Sequence, residues 1–351
     1  MHCGHQRHEG WTMMDDVLLR VENLTTHFVT PRGVVRAVDG VSFDVAAGET
    51  FGLVGESGCG KSVTCRSILR LVPSPPARLG GHVMFEGRDL LALRPRDLRT
   101  VRGVRIAMVF QDPMTALNPV MRVGTQIAEV LHEHQTISRR QARARVLELM
   151  GLVGIPAPRE RIDDYPHQFS GGMRQRVVIA AALACNPRVL LADEPTTALD
   201  VTIQDQILKL LLRLQRTMGM SVVLVTHDLG IVAQTCHRVA VMYAGKIVEQ
   251  ADTESLLGAP RHPYTRGLLD SLPNVRGRTR YLHPISGAPP DLAEPPSGCR
   301  FHPRCPLAVD ACKHEEPPLI QVAPGHLSAC PYHEKLTRPL ITDQATLNVS
   351  T

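Results

Sequence analysis

The 351-residue chain is 43% hydrophobic and 21% charged, with a formal charge of +5. That balance excludes a disordered or fibrous protein and leaves room for one large domain with an appendage, or for two domains. The longest apolar run, Val177 to Cys185, is about half a membrane span, and the basic residues do not gather in blocks. Neither a spanning helix nor a nucleic-acid surface is therefore expected.

The first stretch, "MHCGHQRHEGWTMMDD", is polar and His-rich, so residues 1–14 are expected to be a disordered tail, with Met13 or Met14 as alternative starts. It has no apolar signal segment, which points to the cytoplasm, where thiols stay reduced. From Val17, "VLLRVENL" and "VSFDVAAGET" alternate apolar and polar residues as half-buried strands do. "FGLVG" reads as a short buried strand and Lys61 to Leu71 as a helix.

Between them, "GESGCGKS" (Gly55 to Ser62) fits G-x-x-x-x-G-K-[ST] in the strand–loop–helix setting the motif needs. Backbone N–H groups of such a loop close around phosphate oxygens, and the helix N-terminus adds positive potential. Gly55, Ser57, Gly58, Cys59, Gly60 and Val63 are the candidate loop contacts. Lys61 is the candidate for the β- and γ-phosphates and Ser62 for Mg²⁺.

"SRRQARARVLELMG" opens with Ser138 and Gln141 at capping-box spacing, presents Ala142, Val146 and Leu149 on one face, and is expected to close at Gly151. "FSGGMRQR" puts Ser170, Gly171 and Gly172 at a helix N-terminus, a second anion site. "VLLADEP" brings Asp193 out at the end of an apolar strand, where a buried carboxylate calls for a cation. Glu194 follows it and is placed to orient an attacking water. A helix with Ile203, Ile207, Leu210, Leu211 and Leu214 on one stripe ends at Gly219. "MSVVLVTHD" is a further buried strand, and "RVAVMYAGKIVEQ" reads as a hairpin turning at Ala244-Gly245. Buried strands alternating with helices predict a mostly parallel sheet covered on both faces. Beyond about Pro260 the chain becomes Pro-rich and loses long periodic segments, as a small separate appendage would.

Over Val17 to Gln250 these motifs, in this order, resemble the ATP-binding subunits of ABC transporters. "FSGGMRQR" is similar to the family signature, with Met173 where Gln is commonest. Gln111 in "VFQDP" falls at the Q-loop, Thr197 to Asp200 at the D-loop, and His227 in "VTHD" at the switch histidine. "QDPMTALNPVMRVGTQIAE" and the tail "HPYTRGLLDSLP…PPSGCRFHPRC" resemble the oligopeptide/dipeptide importer branch, which also holds nickel importers.

The resemblance implies an α/β fold: a P-loop NTPase ABC cassette over 15–258, with a RecA-like core, an antiparallel β subdomain and a helical subdomain at about 112–175. A small Cys/Pro-rich C-terminal domain over 259–335 and a tail over 336–351 complete it. It implies an ATPase that closes head to tail with a second, homologous ATP-binding subunit, the Lys61 loop of one facing the Ser170 signature (Ser170 to Met173) of the other across ATP. Two membrane permease subunits and an extracellular substrate-binding protein are the implied partners, with the chain peripheral on the cytoplasmic face. The segment from Met114 to Glu129 is the expected permease contact. The implied roles are water orientation for Glu194, γ-phosphate contact for His227, Mg²⁺ contact for Ser62, Gln111 and Asp193, and adenine stacking for Phe28, with a core position as the rival for that ring. Peptide uptake is the implied function. Nickel or another small solute is the alternative within the family, and a non-transport ABC ATPase or a pure ATP-binding regulator the alternative outside it.

Four late cysteines remain. Cys299, Cys305, Cys312 and Cys330 are separated by five, six and seventeen residues, which fit no common zinc ribbon. A reducing compartment disfavours disulfides. Four thiolates suit an iron–sulfur cluster, and the branch's C-terminal region resembles a cluster-bearing one. A structural [4Fe–4S] cluster on these four residues is the expectation, with four buried free thiols as its rival. Cys59, Cys65, Cys185 and Cys236 are expected to be small core or loop residues.

Overall fold

The computed structural model describes residues 17–31, 33–197, 199–271 and 285–336. The expected tails, 1–14 and 336–351 from 337 onward, lie outside the described residues. In chain order the strands are β1 (Val17–Thr30), β2 (Gly33–Ala46), β3 (Thr50–Val54), β4 (Ala77–Phe85), β5 (Arg88–Asp89) and β6 (Ile106–Val109). They continue with β7 (Val189–Asp193), β8 (Ser221–Thr226), β9 (Arg238–Tyr243), β10 (Lys246–Asp252), β11 (Ile320–Ala323) and β12 (His326–Ser328). The helices are α1 (Lys61–Ile68), α2 (Pro95–Arg99), α3 (Pro113–Ala116), α4 (Val123–His134), α5 (Arg139–Leu152) and α6 (Pro158–Arg161). After them come α7 (Gly171–Ala182), α8 (Val201–Met218), α9 (Leu229–Thr235), α10 (Thr253–Gly258) and α11 (Pro263–Asp270).

The apolar runs form the centre of the larger sheet, ordered β11-β12-β10-β9-β3-β8-β7-β6. From β9 to β6 its neighbours are parallel. Every residue of β3, β7 and β8 is buried, as a parallel sheet covered on both faces requires. Alternate residues of β7 serve opposite cores. Leu190 and Ala192 pack with the helical segment and α8, while Val189 and Leu191 pack toward α1 and the smaller sheet. That smaller sheet, ordered β2-β1-β4-β5, is antiparallel throughout.

The predicted stripe on α8 is buried at Ile207, Leu210, Leu211 and Leu214, and Gly219 stops the helix in the left-handed region. The β9–β10 turn sits at Ala244 (φ 46°) and Gly245 (φ 86°), both left-handed as a tight hairpin needs. Ser138 caps α5: its Oγ accepts from Gln141 N–H at 3.3 Å and Gln141 Oε1 accepts from Ser138 N–H at 3.0 Å. The expected stop at Gly151 is wrong. The helix runs to Leu152, and the left-handed residue that follows it is Gly154 (φ 76°).

The C-terminal region differs from the free-standing appendage suggested by its texture. Strand β12 pairs with β10 through Glu249 and Gln250, so the region extends the cassette's own sheet. Two of its fully buried aromatic side chains, Tyr264 and Phe301, sit in one core with Val239, Val241 and Tyr243 of β9. Tyr243 and Tyr264 lie 4.6 Å apart ring to ring, and Phe301 stands edge-on to Tyr243 at 5.2 Å. The described part of the region shares this core with β9. A buried polar staple reinforces the seam: Glu249 accepts from Arg261 N–H (2.5 Å), His262 N–H (3.0 Å) and His326 Nε2 (2.7 Å).

Candidate functional site

The glycine-rich loop lies between β3 and α1, as its motif requires. Two of its glycines cannot be replaced without moving backbone. A Cβ on Gly55 would stand 2.1 Å from the Met242 carbonyl oxygen, and one on Gly60 (φ 107°) 2.2 Å from that of Ala37. Lys61 opens α1 with its side chain 4% exposed. Its Nζ donates to the carbonyls of Gly55 (2.8 Å) and Glu56 (2.9 Å), curling the ammonium over the loop. Cys59 is buried within the loop, while Ser57 and Gly58 face solvent.

Asp193, at the end of β7, is fully buried. Its Oδ1 accepts from Ser62 Oγ at 2.7 Å, and its Oδ2 has no hydrogen-bond partner. Burial pushes the Asp193 carboxyl up, against the opposing pull of Ser62 and the cations Arg66 and Lys61. A buried carboxylate oxygen with an unused lone pair, beside a serine hydroxyl, is a donor set of the hard-oxygen kind that Mg²⁺ takes. The residues therefore fit the ion.

Glu194 collects the remaining motifs. It turns with φ 44°, a conformation that costs strain and that clusters at functional sites. Its Oε2 accepts from Gln111 Nε2 (3.0 Å) and Thr197 Oγ1 (2.9 Å). Its Oε1 stands 3.9 Å from Lys61 Nζ and 3.7 Å from His227 Nδ1. Residues from four segments, spread from 61 to 227, thus meet around one carboxylate. Gln111 engages Glu194 rather than Asp193 or Ser62 among the described contacts.

The signature residues stand elsewhere. Ser170 caps α7, its Oγ accepting from Met173 N–H at 3.4 Å, and Ser170 and Gly171 face solvent. Among the described residues, no hydrogen bond or ion pair joins them to the phosphate loop. Gly172 is buried, and a Cβ there would meet Ile203 Cγ2 of α8 at 2.6 Å. Asp200 is exposed and caps α8, accepting from Ile203 N–H at 3.0 Å. Phe28 lies on β1 of the antiparallel sheet, not on the strand that feeds the phosphate loop. It is half-buried and is not among the residues of the three apolar cores.

The four late cysteines do converge: Cys299, Cys305, Cys312 and Cys330 line one cavity of about 240 Å³. All four are free thiols, three half-buried and Cys330 buried. Burial pushes the thiols of Cys299 and Cys305 up, and that of Cys330 to about 11. Among the described residues no three His, Cys, Asp or Glu side chains stand close enough to hold a metal ion. The expected [4Fe–4S] ligand set is thus not brought together as a metal-holding group among the described residues. Cys65, Cys185 and Cys59 are buried and Cys236 half-buried, as core or loop residues.

Sequence reasoning missed two residues at the phosphate loop. Arg304 makes a two-pronged ion pair with the carboxylate of Glu56, and Tyr264 Oη accepts from Glu56 N–H. Both come from the Pro-rich region, and no local pattern marks either.

An ABC transporter family model matches residues 38–197, and a model of the oligopeptide/dipeptide transporter C-terminal region matches 248–312. The dipeptide transport ATP-binding protein DppD of Bacillus subtilis (strain 168) is 52% identical over 314 residues, covering 89% of this chain and 94% of that protein. The chain belongs to the ATP-binding proteins of ABC transporters. The Escherichia coli (strain K12) DppD is 48% identical, over 90% of this chain and 96% of its own length. The oligopeptide transport ATP-binding protein OppD of Salmonella typhimurium is 47% identical over 90% and 93%. Among solved structures, the dimeric ATP-binding cassette MJ0796 bound to ADP and Pi matches with a TM-score of 0.60 and 28% identity, covering 67% of this chain and 98% of that one. This ABC protein is accordingly an ATPase of that family. No described helix is long and apolar enough to cross a membrane.

Proposed function

We propose that the chain hydrolyses ATP to drive uptake of di- or oligopeptides through a separate membrane permease. The observation that carries the ATPase reading is the Glu194 carboxylate, with Gln111, Thr197, Lys61 and His227 gathered around it. The peptide reading rests on the relatives' stated cargo and on the match of residues 248–312.

In this reading Lys61 leaves the carbonyls of Gly55 and Glu56 to meet the β- and γ-phosphates, and the loop N–H groups from Gly55 to Val63 cradle them. Ser62 and Asp193 would hold Mg²⁺, which supplies positive charge to the phosphate oxygens, with Gln111 reaching it once released from Glu194. Glu194 orients the attacking water and accepts its proton. His227, exposed at the end of β8, contacts the γ-phosphate. Phe28 offers its half-exposed ring to adenine.

Ser170, Gly171, Gly172 and Met173 serve a second cassette, in keeping with the solvent-facing Ser170 and Gly171 at the start of α7, and Asp200 sits at the same interface. ATP contacts made only in the closed dimer shift the population to closure, and hydrolysis removes them. Two permease subunits contact the segment 114–129, an extracellular binding protein delivers cargo, and the chain sits on the cytoplasmic face of the membrane. The cassette spans 15–258, its helical part about 112–175, and the C-terminal part 259–335. Cys299, Cys305, Cys312 and Cys330, which line one cavity, are the residues that would hold a [4Fe–4S] cluster, in a structural role. Anaerobically purified protein without iron would exclude it.

The test is uptake. Cells carrying the Glu194→Gln variant should lose labelled dipeptide uptake and ATP turnover together, with nickel uptake unchanged. Undiminished turnover removes Glu194 from its role, and loss of nickel uptake instead selects the alternative cargo.

A further inference from the structure

Glu56 is the second residue of the phosphate loop, and each of its polar groups is held. Its carbonyl accepts from Lys61 Nζ at 2.9 Å. Its N–H donates to Tyr264 Oη at 2.8 Å. Its carboxylate takes two parallel bonds from Arg304, Nη1 to Oε2 at 2.6 Å and Nη2 to Oε1 at 2.9 Å. The last two partners lie beyond β10, more than 200 residues along the chain.

Arg304 is itself locked. Its side chain is 5% exposed, and its guanidinium lies over the Tyr243 ring at 5.8 Å. Its Nε donates to the Ser286 carbonyl at 3.0 Å. Tyr264 is fully buried in the aromatic core with Tyr243 and Phe301. Both groups thus grip Glu56 from rigid supports.

A phosphate loop needs such a grip. Gly55, Gly58 and Gly60 all take positive φ, and a glycine-rich loop loses more backbone freedom on ordering than any other. Contacts that order the loop before the ligand arrives lower the cost of binding. The pair also cancels the charge of an acidic side chain in a loop that receives polyanions.

We propose that Arg304 and Tyr264 are positioning residues for the ATP phosphate loop, so that the C-terminal region completes the nucleotide site rather than hanging beside it. This rests on the reading of Gly55 to Ser62 as the ATP loop. Neither residue touches nucleotide; both act through Glu56.

ATP binding to the purified full chain, followed by titration calorimetry, tests this with Glu56→Gln, Arg304→Gln, their double variant, and Tyr264→Phe. Each single variant should raise the ATP Kd by about 10-fold, and the double should be no worse than the singles, as for two residues joined in one contact. Tyr264→Phe keeps the ring and its packing, so it reports on the hydroxyl even if an Arg304 variant folds poorly. A purely electrostatic effect would give opposite signs, with Glu56→Gln tightening ATP and Arg304→Gln weakening it; that outcome overturns the proposal. Unchanged Kd in all variants, or changes confined to the thermal midpoint, overturns it as well and leaves the contact as a staple. Lys61→Ala separates the two readings. If it loses ATP while the other variants do not, the proposal fails alone; if it too keeps ATP, the assignment of the loop fails.

Discussion

Replacing Asp193 by Asn should make the nucleotide-free protein more stable and remove the stabilisation that Mg²⁺ brings with ATP. Asp193 is fully buried, one oxygen is bonded to Ser62 at 2.7 Å, and the other has no hydrogen-bond partner. Arg66 is 4.0 Å from that oxygen on a side chain 45% exposed, too far and too wet to compensate. A buried unsatisfied acceptor costs about 1–3 kcal/mol, more when charged. The neutral amide keeps the bond to Ser62 and trades an unpartnered charged oxygen for a cheaper unpartnered N–H₂, a net gain of about 1 kcal/mol. At this chain length that is about 2 °C in thermal midpoint. With ATP at 100 times Kd, ligand linkage stabilises the wild type by about 2.7 kcal/mol, and its Mg²⁺-dependent part should vanish in the variant. The pH dependence has a defined sign. The folded carboxyl binds its proton more tightly than the unfolded one, so the wild type loses stability as pH rises above the ordinary value of 3.8 and through the raised folded value. The gap between variant and wild type should therefore be smaller at pH 4.5 than at pH 7.5. Thermal unfolding with and without Mg²⁺ at both pH values is the assay. A variant less stable than wild type without Mg²⁺, or one that keeps the full Mg²⁺ shift, would refute the reasoning.

Two further substitutions probe backbone and burial. Gly60→Ala places a Cβ 2.2 Å from the Ala37 carbonyl oxygen at φ 107° and should cost about 3 kcal/mol or more; Gly151→Ala, inside α5 with nothing within 4 Å, should stabilise by about 0.5–1 kcal/mol, both read by urea unfolding. His262 is buried, its pKa pushed down to about 3, and its Nδ1 accepts from Tyr264 N–H to cap α11. The unfolded chain then takes up a proton near pH 6.5 that the folded one refuses, so stability falls as pH drops from 6.5 toward 3. The loss through this residue should be about 1.4 kcal/mol between pH 7.5 and 5.5. His262→Asn keeps a capping acceptor, and a stability difference from wild type that does not change between those two pH values would count against this origin of the acid sensitivity.

What could be read from the sequence was what neighbouring residues encode. The apolar runs at 50–54, 189–193 and 221–226 are strands because each buries both faces, and the Ser138–Gln141 box caps α5 because its two partners are three residues apart. The helix end was missed because Gly151 faces solvent inside α5, where a glycine costs only local entropy, while Gly154 carries the left-handed turn. The position of Phe28 relative to the loop could not be read from chain order, because β1 belongs to the smaller sheet while β3, which leads into the loop, belongs to the larger. The meeting of Gln111, Thr197 and His227 at Glu194 was legible only as an ordered set of motifs, since strand order across β3, β8, β7 and β6 is a tertiary property.

The Glu56–Arg304 pair marks the limit of this kind of reading. Two charged residues 248 positions apart leave no periodicity, and each alone reads as a solvated surface charge. Their meaning comes from what they connect. The aromatic core of Tyr243, Tyr264 and Phe301 fixes the C-terminal region against β9, and that rigid seam carries Arg304 and the Tyr264 hydroxyl to the loop. A region that looked like an appendage by its proline content is bound to the glycine-rich loop by its contacts with Glu56. The same short turn, His302 to Arg304, runs into Cys305 at the four-thiol cavity.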